Sequence, residues 1–254
     1  MAPSIYVVRH AQGHHNVNSQ HHLRDPNITD LGWTQCTNLS KTFPKSSLPA
    51  SLTIMASPLI RTIQTACLGF WDVLKNPDVK FVLVPMAQEI ANQPCDIGFP
   101  AAELKEKVAA WLQQERLGFG VERMDWSLVE DGWNSKTGIY TASLTAVNAR
   151  AAALRATLYA HPSEAVILVT HGAFLHYLTA DWSSFDGARG TGYENCEFKH
   201  FIWEEGEEDV HLKEIGGAKI RQGRPPGVHA HVLEGIEQIE GLDPKSIKVG
   251  KGIA

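Results

Sequence analysis

Arg9 and His10 stand side by side and open a polar run, Arg9-His10-Ala11-Gln12-Gly13-His14-His15-Asn16. A second arginine, Arg61, sits in Ser57-Pro58-Leu59-Ile60-Arg61-Thr62, and a second histidine, His171, precedes Gly172. Glu89 is the carboxylate that belongs with them. Two guanidiniums in one cleft repel unless an anion lies between them, and their planar forks match phosphate oxygens. Arg9 and Arg61 are therefore candidate phosphate ligands. A neutral imidazole can attack phosphorus, which makes His10 the candidate nucleophile. Flanking positive charge disfavours the imidazolium, so His10 is expected to be neutral near pH 7. His171 is the candidate hydrogen-bond donor to the transferring group. With Gly172 it opens a helix whose N-terminal amides favour an anion. Glu89 is the candidate acid and base, provided its pKa is raised.

The elements that must gather these groups are short apolar runs with β-branched residues: 5–8 (IYVV), 52–56 (LTIMA), 81–84 (FVLV) and 165–170 (AVILVT). Each has the length of a buried strand, and continuous apolar runs suit parallel strands covered by helices on both faces. Helical patterns separate them. One is expected after Asp30 as its cap and ends before Pro44; another runs over 59–74. A third, near 142–161, carries the stripe Leu144, Val147, Ala151, Leu154 and Leu158. Alternating strands and helices predict an α/β fold, a three-layer α/β/α sandwich with a mostly parallel central sheet. The run 198–203 (FKHFIW) is expected to add an antiparallel edge strand. Ligands of open α/β sheets bind at the carboxyl ends of the strands. Three of the four clusters directly follow a strand, and Glu89 follows the remaining one by a few residues.

At 254 residues, with 43% hydrophobic and 20% charged residues, the chain fits a soluble globular protein with a sizeable core. The formal charge of -5 and the lack of a basic tail argue against a nucleic-acid partner. Cys36, Cys67, Cys95 and Cys196 form no C-x-x-C pair and read as reduced thiols, consistent with a cytoplasmic setting. The apolar start is too short for a signal peptide or a membrane span. Residues 1–204 are expected to form the α/β domain, with 86–140 as a helical insertion lying as a lid over the active site. Residues 205–254 are expected to form a partly loose C-terminal extension, with 204–209 a solvated turn.

Five segments carry a resemblance: VVRHAQGHHN at 7–16, ITDLGWTQ at 28–35, SPLIRTIQTA at 57–66, QEIANQPCDIG at 88–98 and VTHGAFLHYL at 169–178. In these, and in their order, the chain resembles the histidine phosphatase superfamily, the phosphoglycerate mutase-like family. The resemblance implies that His10 becomes phosphohistidine, that Arg9, Arg61 and His171 bind the phosphoryl group, and that Glu89 is the acid–base residue. It also implies that Asn16 helps to hold the phosphate. Ala11 stands where the family's first motif usually carries Gly, a change that costs energy only if the position needs a positive φ.

Simpler roles fall to other residues. His14, His15, His21 and His22 read as loop histidines rather than a metal site, because carboxylates and cysteines at ligand spacing are missing. Asp96 reads as structural, Thr29, Gly32 and Gln35 as capping and packing a helix, Cys95 as a buried small residue, and Trp111, Trp126 and Trp133 as core or lid. The expected activity is a phosphoric monoester hydrolase, a phosphatase acting on a small phosphorylated substrate without metal or cofactor. The alternatives are a phosphoglycerate mutase-type phosphotransferase, or a repurposed scaffold without phosphoryl transfer. Specificity is expected to come from 86–140 and 183–195. The pattern leaves the oligomeric state open and shows no membrane anchor.

Overall fold

The four apolar runs become β1 (Ser4–Arg9), β2 (Leu52–Ala56), β3 (Lys80–Leu83) and β4 (Ala165–Thr170) in a computed structural model. It describes residues 1–182, 192–205, 210–215, 236, 238 and 239. Two later strands, β5 (Phe198–Glu205) and β6 (Val210–Glu214), complete one six-stranded sheet in the order β3-β2-β4-β1-β5-β6. The first four strands run parallel, while β5 and β6 are antiparallel to their neighbours. The antiparallel strand expected near the sheet edge from 198–203 is thus present as β5, and β6 lies outside it, so the sheet continues past residue 204, where the sequence suggested a boundary. The turn expected at 204–209 lies mostly outside the described residues.

Period-two alternation splits the strands between two cores. Tyr6 and Val8 of β1 and Ala165, Ile167 and Val169 of β4 face one cluster, while Ile5, Val7, Val166 and Leu168 face the other. The first cluster is closed by α1 (Asp30–Thr42), α2 (Ile60–Gly69) and α4 (Ala101–Glu115), the second by α5 (Leu144–Tyr159) and α6 (Gly172–Thr179). This is the three-layer α/β/α sandwich. Each fully buried Leu or Ile contributes roughly 1.5–3 kcal/mol, so the two faces together hold the sheet.

Local details depart from the sequence reading. Asp30 is the first residue of α1 rather than its cap; Thr29 caps it, as its type and place suggested, its side chain accepting from the Gly32 N–H at 3.0 Å. The helix expected over 59–74 breaks after Gly69, and a short α3 (Trp71–Leu74) follows. A Cβ on Gly69 would lie 2.8 Å from Leu39 Cδ2, so the glycine lets α2 approach α1. In α5, Leu144 is exposed, whereas Arg150 is buried beside Val147, Ala151, Leu154 and Leu158. Segment 86–140 holds one α-helix, α4, among 3₁₀ turns. Its Leu104, Val108, Leu112, Met124 and Trp133 enter the first core. Asp125 bridges to Val82 and so covers the β3 edge. Of the C-terminal extension, Ile236 and Ile239 are buried in the second core. Among the described residues, no helix is long and apolar enough to cross a membrane.

Candidate active site

Register places the site. Arg9 pairs with Thr170, and Ala56 with both Val169 and Leu83, so four parallel strands end level with one another. The next residues then fall in one row. The His10 N–H donates to the Thr170 carbonyl at 2.9 Å, and the Ser57 N–H to the Val169 carbonyl at 3.1 Å. The His10 and His171 rings lie 5.2 Å apart, centre to centre. Arg9, His10, Ser57, Arg61, Glu89, Asp96 and His171 are all buried there.

Hydrogen bonds define the state of each ring. His10 Nδ1 lies 2.7 Å from the Ala11 carbonyl, which can only accept, so Nδ1 carries the proton. His10 Nε2 accepts from Arg61 Nε at 3.3 Å, which leaves its lone pair on the Arg61 side. Burial, followed by the charges of Arg61, His171 and Arg9, pushes the His10 pKa well below its usual value. The ring is therefore neutral, with its lone pair on Nε2. Asn195 Nδ2 donates to the His10 carbonyl at 2.7 Å and pins the backbone. Thr65 Oγ1 accepts from the Ala11 N–H at 2.9 Å and donates to the Arg61 carbonyl at 2.7 Å. Ala11 is not among the residues with positive φ, so alanine fits where a glycine was expected.

Arg61 is the hub of the cluster. Nη1 donates to the Cys95 carbonyl at 2.6 Å, while Nη2 donates to Asp96 at 2.7 Å and to His171 Nδ1 at 3.1 Å. Asp96 therefore neutralises and aims this guanidinium, in keeping with a structural role. Because His171 Nδ1 accepts from Arg61, its single proton sits on Nε2, 2.9 Å from Ser57 Oγ. The proton expected to reach the transferring group is thus held by Ser57 in this structure. Burial first, then Arg61 and Lys136, lower the His171 pKa well below its usual value. Arg9 Nη1 donates to the Tyr193 carbonyl at 2.6 Å, and its charge acts on His10.

Glu89 takes the place at the N-terminus of α6 where the sequence suggested a phosphate. Its Oε1 accepts from the Ile90 and Phe174 N–H groups at 2.9 and 3.1 Å, and its Oε2 from the Ala173 N–H at 3.4 Å. The amides that follow Gly172 thus hold this carboxylate. Burial, then repulsion from Asp96, raises the Glu89 pKa against these donors and Arg61. Asn16 closes its own turn, accepting from the Gly13 N–H at 2.9 Å. His15 is buried with its ring 5.6 Å from that of His10, while His14 is exposed. Trp133 is core, and Trp111 and Trp126 pack partly buried against it. No group of three His, Cys, Asp or Glu suited to a metal forms among the described residues.

Sequence reasoning missed Asn195, Lys136 and Arg150. Lys136 Nζ donates to the Glu89 carbonyl at 2.8 Å, and Arg150 Nη1 to the Gln88 carbonyl at 2.6 Å. Asn195 and Lys136 come from segments without a recognisable pattern, and Arg150 is a charge beside the apolar stripe of the helix near 142–161, so only the tertiary contacts reveal them. Thr65 was within reach, because it lies one helical turn after Arg61.

The family model of the histidine phosphatase superfamily (branch 1) matches residues 5–215. A Schizosaccharomyces pombe protein named "Probable phosphatase" is 29% identical over 106 residues, covering 41% of this chain and 49% of that protein. An Arabidopsis thaliana phosphoglycerate mutase-like protein 1 is 37% identical over 98 residues, covering 35% of this chain and 34% of that one. The chain thus matches about half or less of the length of these curated relatives. Among solved structures, an ecdysone phosphate phosphatase from Bombix mori in complex with tungstate superposes with a TM-score of 0.52. It covers 88% of this chain and 96% of that one at 15% identity, a likeness of fold alone.

Proposed function

The chain belongs to the histidine phosphatase superfamily, and from that premise we propose that it is a phosphatase that hydrolyses a phosphate monoester through phosphohistidine at His10. The observation that carries the reading is the tautomer of His10: a buried neutral ring, with Nδ1–H held by the Ala11 carbonyl and the Nε2 lone pair beside Arg61. A phosphoryl group takes its place between Arg61, Arg9 and His171, and the bridge from Arg61 Nε to His10 opens to admit it. His10 Nε2 forms the bond to phosphorus as the bond to the leaving oxygen breaks. Glu89, whose pKa burial raises, gives a proton from its acid form to that oxygen. Water then attacks the phosphohistidine. Glu89 takes a proton from the water, and neutral His10 returns with inorganic phosphate as product. Oriented donors around the transferring group supply the stabilisation, and the route calls for neither metal nor nucleotide. Asn16 and the 86–140 segment, read as a lid, belong to the same proposal as phosphate holder and specificity element.

The test is hydrolysis of an aryl phosphate from about pH 5 to pH 8, with and without a chelator, by the wild type and His10→Ala. Turnover that survives the chelator and disappears in the variant is the expected outcome. Normal activity in His10→Ala would sink the mechanism. A mutase is the second reading, favoured by relatives named phosphoglycerate mutase-like. It predicts a phosphoenzyme that water attacks slowly and that passes its phosphoryl group to an added hydroxy acid.

A further inference from the structure

A cavity of about 430 Å³ opens between the 24–27 loop, the start of α2 and α4, and none of Arg9, His10, Arg61, Glu89 or His171 lines it. That size suits a small molecule. The lining carries charge of both signs. Asp25, 2% exposed, is its acidic group. Asp25 Oδ1 accepts from the Ile60 N–H at 2.9 Å, whereas Oδ2 is buried with no hydrogen-bond partner among the described residues. A carboxyl oxygen left in that state costs free energy, and a donor that reached it would remove the cost. Burial, opposed by Arg61, the Ile60 N–H and Arg24 and reinforced by Asp96, raises Asp25 to about 7. The proton it then holds is one that a bound cation would displace.

The basic groups of the lining are Arg24 and Lys107, both exposed. With Asp25 buried beneath them, the negative group is the floor and the positive ones are the rim. Both cations lie over the Phe99 ring, at 4.9 and 4.3 Å from its centre, so one aromatic side chain gathers two positive charges there. Arg24 Nη2 donates to the Gly98 carbonyl at 2.9 Å, and Lys107 makes a 3.5 Å contact with Glu103 one turn earlier. An exposed pair of that kind is weak, so the rim remains open to an anion. Ile60, Val108 and Trp111 line the same space with apolar surface.

We infer that this cavity is a second ligand site, separate from the phosphate site, for a small zwitterion: an amino-substituted carboxylic acid whose ammonium meets Asp25 Oδ2 and whose carboxylate meets Arg24 and Lys107. A simple amine would leave the cationic rim unanswered, and a simple acid would leave Oδ2 without a donor. The site is independent of what the His10 cluster turns over.

Calorimetry on the wild type would compare glycine, 4-aminobutanoate and 6-aminohexanoate with butylamine and butanoate. At least one amino acid should bind about tenfold or more tighter than both singly charged probes, and the chain length that gains measures the reach from floor to rim. At about pH 6 binding should release a proton, read as a heat that changes with the ionisation enthalpy of the buffer. Because the ammonium favours ionised Asp25, affinity should rise about tenfold between about pH 6 and pH 8. Asp25→Asn keeps the Ile60 bond through Oδ1, and should lose both the proton release and the advantage of the amino acid over butanoate. Arg24→Gln combined with Lys107→Met should lose the advantage over butylamine. Saturating inorganic phosphate should leave the affinity within about twofold, as for an uncoupled site. Amino acids that bind no tighter than butylamine or butanoate would overturn the inference, as would an advantage that either variant retains. Strict competition with phosphate would place the ligand on the His10 cluster and overturn it too.

Discussion

Replacing Glu89 by Gln separates proton transfer from architecture. Gln Oε1 can keep the bonds from the Ile90 and Phe174 N–H groups, so only the long 3.4 Å contact from Ala173 is lost. That contact is worth about 0.5–1.5 kcal/mol, and the variant should fold. The amide cannot protonate a leaving oxygen, and a positioned acid contributes about 10²–10⁴-fold. The loss should appear only where the leaving group needs a proton. kcat/KM reports the steps through departure of that group, and is therefore the quantity to compare. With an alkyl phosphate, kcat/KM should fall about 10²–10⁴-fold, while a nitrophenyl ester, whose phenolate leaves unaided, should lose less than about tenfold. For the alkyl substrate, wild-type kcat/KM should also decline as pH rises through the elevated Glu89 pKa, because the acid form is the active one. Depressed His10 titrates on the acid side, where protonation removes the nucleophile. Equal losses on both substrates, or no loss on the alkyl ester, would refute the assignment of Glu89 as acid.

Arg61→Ala should lower kcat about 10²–10³-fold, as loss of one oriented donor does. It should also cost about 3–5 kcal/mol of stability by leaving Asp96 buried without its partner; a phosphatase assay beside a denaturant titration measures both, and an unchanged kcat would remove Arg61 from the phosphate site. Asp25 is buried, accepts from the Ile60 N–H, and is raised to about 7, chiefly by burial. Between its unfolded value and about 7 the folded state holds the extra proton, so wild-type stability falls as pH rises through that window. Relative to wild type, Asp25→Asn should gain roughly 4 kcal/mol between about pH 4 and pH 7. Denaturant midpoints of both proteins across that range check it, and a constant difference would contradict it. A Cβ on Gly98 would fall 2.2 Å from Trp133 Cη2. Gly98→Ala should therefore cost about 1–3 kcal/mol by overpacking, seen as a lower melting temperature, and an unchanged one would show that Trp133 can move aside.

Local pattern alone settles much of this molecule. Runs such as IYVV and AVILVT are apolar on both faces, so they can only be strands covered on both sides, and their spacing by helical segments imposes parallel pairing. Parallel pairing brings strand ends together, which is why Arg9, His10, Arg61, Glu89 and His171 could be grouped from sequence. What lay beyond it depends on partners distant in the chain. β6 has little apolar signal of its own and is stabilised by pairing with β5. Gly69 is required where Leu39 packs closely against α2. The N-terminus of α6 is occupied by Glu89, because two elements 84 residues apart meet there. Each histidine's tautomer is set by what faces it, the Ala11 carbonyl, Ser57 or Arg61, and no spacing rule encodes that. Lys136 lies in a segment without periodicity. Its burial against the Glu89 carbonyl is a property of the packed interior, because the fold decides whether a lysine is a solvated surface charge or an interior donor.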